Sequence, residues 1–192
     1  MNSPFFTEDH ESIREMARDF ANKTLAPIAA DVDKNEEFPM DVVGQMAEMG
    51  FLGLKIPEEY GGLSLDMRSY VCVMEEIAKK CATATLFISS ANSLSTAPIV
   101  ISGTPEQKEK YLPGVVAGEE FIAFALTEPN AGSDAAGMTT KAVEDGDDYI
   151  LNGRKCFITM APIAKYSIVY AKTSPEKGAK GISCFMVDMS LP

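Results

Sequence analysis

The chain contains no tryptophan and one histidine, and its four cysteines never approach CxxC spacing. Cys72, Cys81, Cys156 and Cys184 lack the Cys/His ligand pattern of a structural zinc site, so reduced, buried thiols in a cytoplasmic protein are expected and no metal is assigned. His10 falls in the first turn of a predicted surface helix, where a lone histidine is expected to be solvated and without a role. Basic residues are also scarce: 17 Lys and Arg stand against 28 Asp and Glu, a net charge of −11. Binding to phosphate backbones needs clustered cations, so neither nucleic acid nor an anionic membrane is expected as a partner. No unbroken apolar run reaches bilayer length, and the N-terminus has no basic-then-apolar leader, which together predict a soluble protein. GxGxxG, the Walker lysine and GxSxG are missing as well, so the common dinucleotide, phosphate and hydrolase motifs do not apply.

What remains is a chain of 192 residues, 46% apolar, enough for one large core or two small ones. The first part reads as helix. Thr7 is placed to cap a helix over residues 8 to about 25, with Ile13, Met16, Ala17, Phe20 and Ala21 on one face and Glu11, Arg14, Glu15 and Arg18 on others. Pro27 interrupts it, and a short helix is expected to about residue 33. Pro39 and Asp41 open a further helix with Val42, Val43, Met46 and Met49 inward and Gly50 just past its end. A loop with a Gly61–Gly62 turn leads to a helix over residues 66–80, whose expected stripe is Met67, Tyr70, Val71, Met74, Ile77 and Ala78. TATLFISSANSLSTAPIVISG is apolar almost all round and predicts a buried helix, with Ser89, Ser90, Ala91, Ser93 and Ser95 leaving one side thin. Thr104, Pro105 and Gln107 form a capping box for a last helix, which Pro113 and Gly114 are expected to stop near residue 112.

From residue 120 the period changes. FIAFALT, MTTKAVED, SIVYAKT and GISCFMVD predict short strands, and Asn152–Gly153 within YILNGRKCFIT carries the two-residue hairpin signature. The expected fold class is therefore α+β. A helical domain of about six helices, residues 1–119, precedes an antiparallel sandwich or barrel domain, residues 120–192. That second domain has roughly seventy residues against the ~100 of a full sandwich, so it is expected to be truncated and to expose apolar surface.

Between the two halves lies FALTEPNAGSDAAG, residues 124–137. Its strand exit presents backbone donors and acceptors ending in the Thr127 hydroxyl, and Pro129 biases Glu128 to extended geometry. The small residues 130–133 form a loop whose N–H groups can converge on an anion, with the Ser133 hydroxyl beside them. A planar heterocycle with an amide-like edge and a phosphate tail matches that order, and a solvated turn between strands remains the plainer alternative.

The same stretch resembles the flavin signature of the acyl-CoA dehydrogenase family. So do FTEDHESIREMARDFANKTLAPIAADVDKNEEFP, GFLGLKIPEEYGGLSLD and NSLSTAPIVISGTPEQKEKYLPGVVAGE in order, and YILNGRKCFIT resembles that family's second flavin segment. The resemblance implies FAD, with Phe124, Ala125, Leu126 and Thr127 at the isoalloxazine and Gly132 and Ser133 at the pyrophosphate. Ser133 would also touch the acyl-CoA, and Phe157, Ile158 and Thr159 would cover the flavin face. Where the family commonly has Trp and a following Asn-Gly, this chain has Phe157 and Met160–Ala161. The implied reaction is α,β-dehydrogenation of a short- or medium-chain acyl-CoA, with electrons passed to an electron-transfer flavoprotein by a homotetramer. The family's glutamate base belongs to a C-terminal helical domain not expected within these residues. No catalytic residue is assigned, Glu128 is not put forward as the base, and the chain alone is expected to have little activity. An enoyl-CoA reductase, an acyl-CoA oxidase, a flavin monooxygenase or a non-catalytic remnant are the alternatives.

Overall fold

The computed structural model describes residues 5–191, and the chain divides into two compact units between Glu120 and Phe121. In the first, α1 (Glu8–Phe20) continues into a π-helical turn (Ala21–Leu25), so helix covers the stretch expected from the periodicity. His10 overturns its expectation. It is buried at 5% exposure and completes the cap of its own helix: the Thr7 N–H donates to Nδ1 at 2.9 Å and the Thr7 hydroxyl lies 2.7 Å away. An Nδ1 that accepts leaves the proton on Nε2, which faces the Asp66 carboxylate at 3.1 and 3.2 Å. An imidazole thus fills the place usually held by Glu or Gln in a capping box.

Next come α2 (Ala29–Asn35) and α3 (Met40–Glu48), and Gly50 adopts φ +76°, the left-handed stop that its position predicts. In α4 (Met67–Ala78) the buried residues are Ser69, Cys72, Val73, Glu76 and Ile77. Of the expected stripe only Ile77 is buried, whereas Met67 and Val71 are exposed. The cause lies in α1. Arg14 and Arg18, read from sequence as outward, lie along α4 and take Glu76 between them, with Arg18 Nε at 3.1 Å and Arg14 Nη1 at 3.6 Å. Satisfying that buried carboxylate fixes the roll of α4 and outweighs the more apolar Met/Val face.

The loop-like segment 51–65 supplies core rather than surface. Phe51, Leu52, Leu54 and Ile56 are all buried, and the Asn92 carboxamide holds the segment by donating to the carbonyls of Phe51 (2.7 Å) and Ile88 (2.9 Å) and accepting from the Lys55 N–H (3.0 Å). Asn92 lies in a π-helical turn (Ser90–Leu94) between α5 (Ala82–Ser89) and α6 (Ala97–Ser102). The whole stretch Ala82–Ser102 is, by length and composition alone, long and apolar enough to cross a membrane, although serines, threonines and an asparagine interrupt its apolar runs. Its buried Asn92, Ser95 and Thr96 fit the interior of a folded unit instead. Leu86, Leu94 and Ile101 are exposed, so burial is less complete than composition suggested. The Thr104/Gln107 box caps α7 (Pro105–Val116), which runs through Pro113, since proline's φ suits the turn that follows it.

The second unit is one mixed sheet of β1 (Ile122–Ala125), β2 (Lys141–Asp145), β3 (Asp148–Asn152), β4 (Tyr166–Lys172) and β5 (Ile182–Asp188). Antiparallel pairing, expected throughout, holds for β2–β3 and β4–β5, but β1 and β2 both run parallel to β4. The hairpin turn lies at Gly146, φ +66°, and not at Asn152–Gly153. Gly153 meets a different demand: a Cβ there would sit 2.2 Å from the Thr140 hydroxyl oxygen. The cross-strand partners Val143 and Ile150 are both exposed. All four cysteines are free; Cys72 and Cys81 are buried as expected, Cys156 is half-buried and Cys184 is exposed.

Candidate functional site

One edge of β4 organises the site. β1 pairs with it up to Ala125↔Val169, and β2 rejoins the same edge at Lys141↔Lys172. Residues 126–140 are therefore an excursion between two collinear strand segments, and they contain most of the FALTEPNAGSDAAG stretch. The excursion turns back on itself where the N–H groups of Glu128 and Ala131 each donate to the other's carbonyl at 3.1 Å, with Pro129 and Asn130 at the corner. A short 3-10 turn (Ala135–Gly137) follows before the chain re-enters the sheet.

Glu128 closes the base of this excursion. Its side chain is 3% exposed and all its partners are donors. Oε2 accepts from the Thr139 N–H (2.6 Å) and hydroxyl (2.8 Å), while Oε1 accepts from the Thr140 N–H (2.9 Å) and the Lys155 ammonium (2.9 Å). Burial disfavours the charge, but the donors of Thr139, Thr140 and Lys155 outweigh it and hold the carboxyl far below the usual range. A carboxylate so engaged does not take up a proton, so Glu128 is no base.

Lys155 connects the excursion to a second segment. Its ammonium also donates to the Leu126 carbonyl at 3.0 Å, and the adjacent Cys156 N–H donates to the Thr127 carbonyl at 3.0 Å. Residues 126–127 and 155–156 are thus stitched together, and Phe157 follows directly. Phe157 has φ +57° and is 92% exposed, and Met160 has φ +68°. Left-handed backbone at two bulky residues so close together is unfavourable, and such geometry is concentrated at functional sites.

The remaining predicted residues divide clearly. Phe124 is half-buried with its ring edge-on to Tyr170, centroids 5.3 Å apart, and Ala125 is buried. Leu126 and Thr127 are half-buried at the strand exit, Ile158 is half-buried and Thr159 exposed. Gly132 and Ser133 are exposed on the outer part of the excursion, where a Cβ on Gly132 would meet no atom within 4 Å. Among the described residues, no hydrogen bond takes up the N–H groups of Leu126, Thr127, Gly132 or Ser133. The structure therefore ties 126–127 to 155–156, the two residues before Phe157, and among the described residues no hydrogen bond ties 132–133 to either segment. Glu128 as a clamp, with Lys155, Thr139 and Thr140, went unread in the sequence. Glu128 is the one charge between Ile122 and Asn130, the signal by which it could have been found.

Unpaired donors at a strand exit, an exposed aromatic ring and a small-residue loop make a set suited to a planar heterocycle with an anionic extension. Known proteins contain similar chains. Residues 7–119 match the family model of the acyl-CoA dehydrogenase N-terminal domain, and residues 123–192 that of the middle domain. A 3-(aryl)acrylate reductase of Clostridium sporogenes is 56% identical over 96% of this chain and 49% of its own length. The caffeyl-CoA reductase-Etf complex subunit CarC of Acetobacterium woodii is 50% identical, with the same coverage of both chains. A crystal structure of an acyl-CoA dehydrogenase from Geobacillus kaustophilus superposes with a TM-score of 0.92 at 38% identity, covering all of this chain and 50% of that one. The chain thus spans about half the length of the curated relatives it matches. On two successive family models and this degree of identity, the chain belongs to the acyl-CoA dehydrogenase family.

Proposed function

We propose that the protein is an FAD-dependent oxidoreductase acting on the α,β carbon–carbon bond of an acyl-CoA thioester and exchanging electrons with an electron-transfer flavoprotein. The observation that carries this reading is the stitching of residues 126–127 to 155–156, with free N–H groups on the first segment and the exposed Phe157 ring directly following the second. FAD would supply hydride exchange at its central ring. The backbone of Leu126 and Thr127 would orient the pyrimidine edge, Phe124 and Ala125 would form the strand behind it, and Gly132 and Ser133 would donate to the pyrophosphate. Phe157, Ile158 and Thr159 would shield the ring face from water. The free N–H groups fit such a cofactor, and at Gly132 the open space leaves room for its approach. No proton acceptor is assigned among the described residues.

A second reading concerns direction and substrate. Two relatives, at 56% and 50% identity, are named as reductases of a 3-(aryl)acrylate and of caffeyl-CoA. Reduction of an aryl-substituted enoyl thioester therefore competes with oxidation of a short- or medium-chain acyl-CoA.

Titrating FAD into the protein and following its visible spectrum tests the cofactor, and anaerobic mixing tests the rest. Bleaching of oxidised flavin by butyryl-CoA supports oxidation. Reoxidation of reduced flavin by a 3-arylacryloyl-CoA, without bleaching by butyryl-CoA, supports reduction. A protein that leaves the spectrum of added FAD unchanged removes the cofactor site from these residues taken alone.

A further inference from the structure

Lys155 and Glu128 are more than an ion pair. The Lys155 side chain is 11% exposed, and its ammonium bridges a buried carboxylate and a backbone carbonyl of the other segment, with Met138 Sδ 4.0 Å away. Glu128 in turn is saturated by Thr139 and Thr140. Neither charge can swing away without leaving the other stranded in the interior. We propose that the Glu128–Lys155 pair is the positioning device of the flavin site, fixing the Leu126–Thr127 and Thr127–Glu128 peptide planes against residues 157–159 before any ligand binds.

The peptide planes make the argument specific. The carbonyl of the Leu126–Thr127 unit is held by Lys155, so the N–H of that unit, on Thr127, is aimed away from the clamp and unused within the chain. The next carbonyl, of Thr127, is held by the Cys156 N–H, and the N–H of that unit, on Glu128, by the Ala131 carbonyl. An ammonium on the first carbonyl also polarises its peptide unit and strengthens the Thr127 N–H as a donor. Resting on the flavin reading above, this gives Lys155 an effect on the cofactor that a merely stabilising residue lacks. A stronger donor at the pyrimidine edge favours the reduced, more electron-rich flavin and raises its potential.

The test compares the FAD-loaded protein with Lys155→Met and with the double variant Glu128→Gln/Lys155→Met, which strands no buried charge. Expected for the double variant are a melting temperature below the parent's but above that of Lys155→Met, weakened FAD affinity, and a midpoint potential shifted negative. Faster amide exchange at Cys156 in the flavin-free protein is expected in both variants. Parental affinity, potential and exchange in a folded double variant overturn the proposal and leave the pair a stabilising contact only. If the parent itself takes up no FAD, the flavin reading falls by itself. The Cys156 exchange then still decides: acceleration at Cys156 in the folded double variant supports positioning, and unchanged exchange refutes it.

Discussion

Glu76 in the helical unit and Glu128 in the β unit are both 3% exposed at the side chain, yet they are held in opposite ways. Glu76 is met only by side chains: Arg18 and Lys79 at 3.1 and 2.7 Å and Arg14 at 3.6 Å, all from regular helix or its end. Glu128 takes two of its four donors from backbone N–H groups of an irregular segment, and its cation comes from another. A helix satisfies its own backbone, so a carboxylate between two helices serves to align them. An excursion from a sheet edge leaves its backbone unpaired, so a carboxylate at its base replaces the missing ladder. The first kind of buried charge fixes helix roll, and the second makes a loop hold a shape.

That distinction predicts unequal costs. Replacing Glu128 by Leu strands the Lys155 ammonium and leaves the Thr139 N–H and the buried Thr140 N–H without an acceptor, and is expected to cost the β unit about 3–5 kcal/mol. Denaturant unfolding followed by amide exchange within residues 121–191 measures it; a cost below ~1 kcal/mol would show that water replaces the carboxylate and would erase the contrast. Glu76→Gln is expected to cost less, about 1–3 kcal/mol. Its partners Arg18 and Lys79 are 46% and 57% exposed and rehydrate, whereas Lys155 at 11% does not.

Acid sharpens the same comparison. Burial opposes the charge on Glu76, but Arg18 and Lys79 prevail and lower its carboxyl to about 2. Glu128 is held lower still by its donors from Thr139, Thr140 and Lys155, again against burial. A carboxyl depressed in the folded state contributes stability that is complete above its unfolded value, about 4.3, and is lost as pH falls toward the folded one. Between pH ~4.3 and about 2 the Glu76 contribution is therefore lost, completely only below the lower limit. The part of the Glu128 contribution lost below that limit makes the β unit the more acid-resistant of the two at this interaction. Exchange rates at α4 and at residues 139–140, measured down a pH series in each single variant and the parent, check the order.

The stretches legible in the sequence were those with local causes. Thr104–Gln107 and Gly50 announced helix ends, and short apolar runs on either side of a polar segment announced β4 and β5, because such signals act over a few residues. The roll of α4 was not legible: its more apolar face lost to Glu76, whose partner Arg18 is 58 positions away. Nor was the parallel pairing of β1 and β2 with β4, since nothing in FIAFALT or KAVED states that both share one edge. The candidate site was legible as composition and invisible as architecture. Its donor-rich loop could be read from small residues, whereas its clamp depends on Lys155, which lies across 27 positions.

A smaller effect tests how much backbone repair by a side chain is worth in the helical unit. His10 accepts the Thr7 N–H at 2.9 Å and reaches Asp66, so it serves both purposes at once. His10→Ala is expected to cost about 1 kcal/mol, the worth of a lost cap, with exchange accelerated in the first turn of α1. His10→Gln, which keeps an acceptor for the Thr7 N–H, should recover part of it. A loss of several kcal/mol would place this residue with Glu128 rather than with the helix caps.

The smallest expected effect is the most discriminating for the site. A methyl added at Gly132 would have nothing within 4 Å, and Gly132 has no positive φ, so its backbone makes no demand for glycine within the chain. Gly132→Ala should leave stability within about 0.5 kcal/mol. Gly153→Ala drives a methyl to 2.2 Å from the Thr140 oxygen and 2.7 Å from its Cα, and should cost about 1–3 kcal/mol through forced movement of the clamp. If glycine at 132 serves a ligand instead, the added methyl should weaken FAD binding while the melting temperature stays put. Equal stability and equal FAD affinity in Gly132→Ala would remove residues 132–133 from the site and leave residues 126–127 and the 155–159 segment stitched to them as its whole extent.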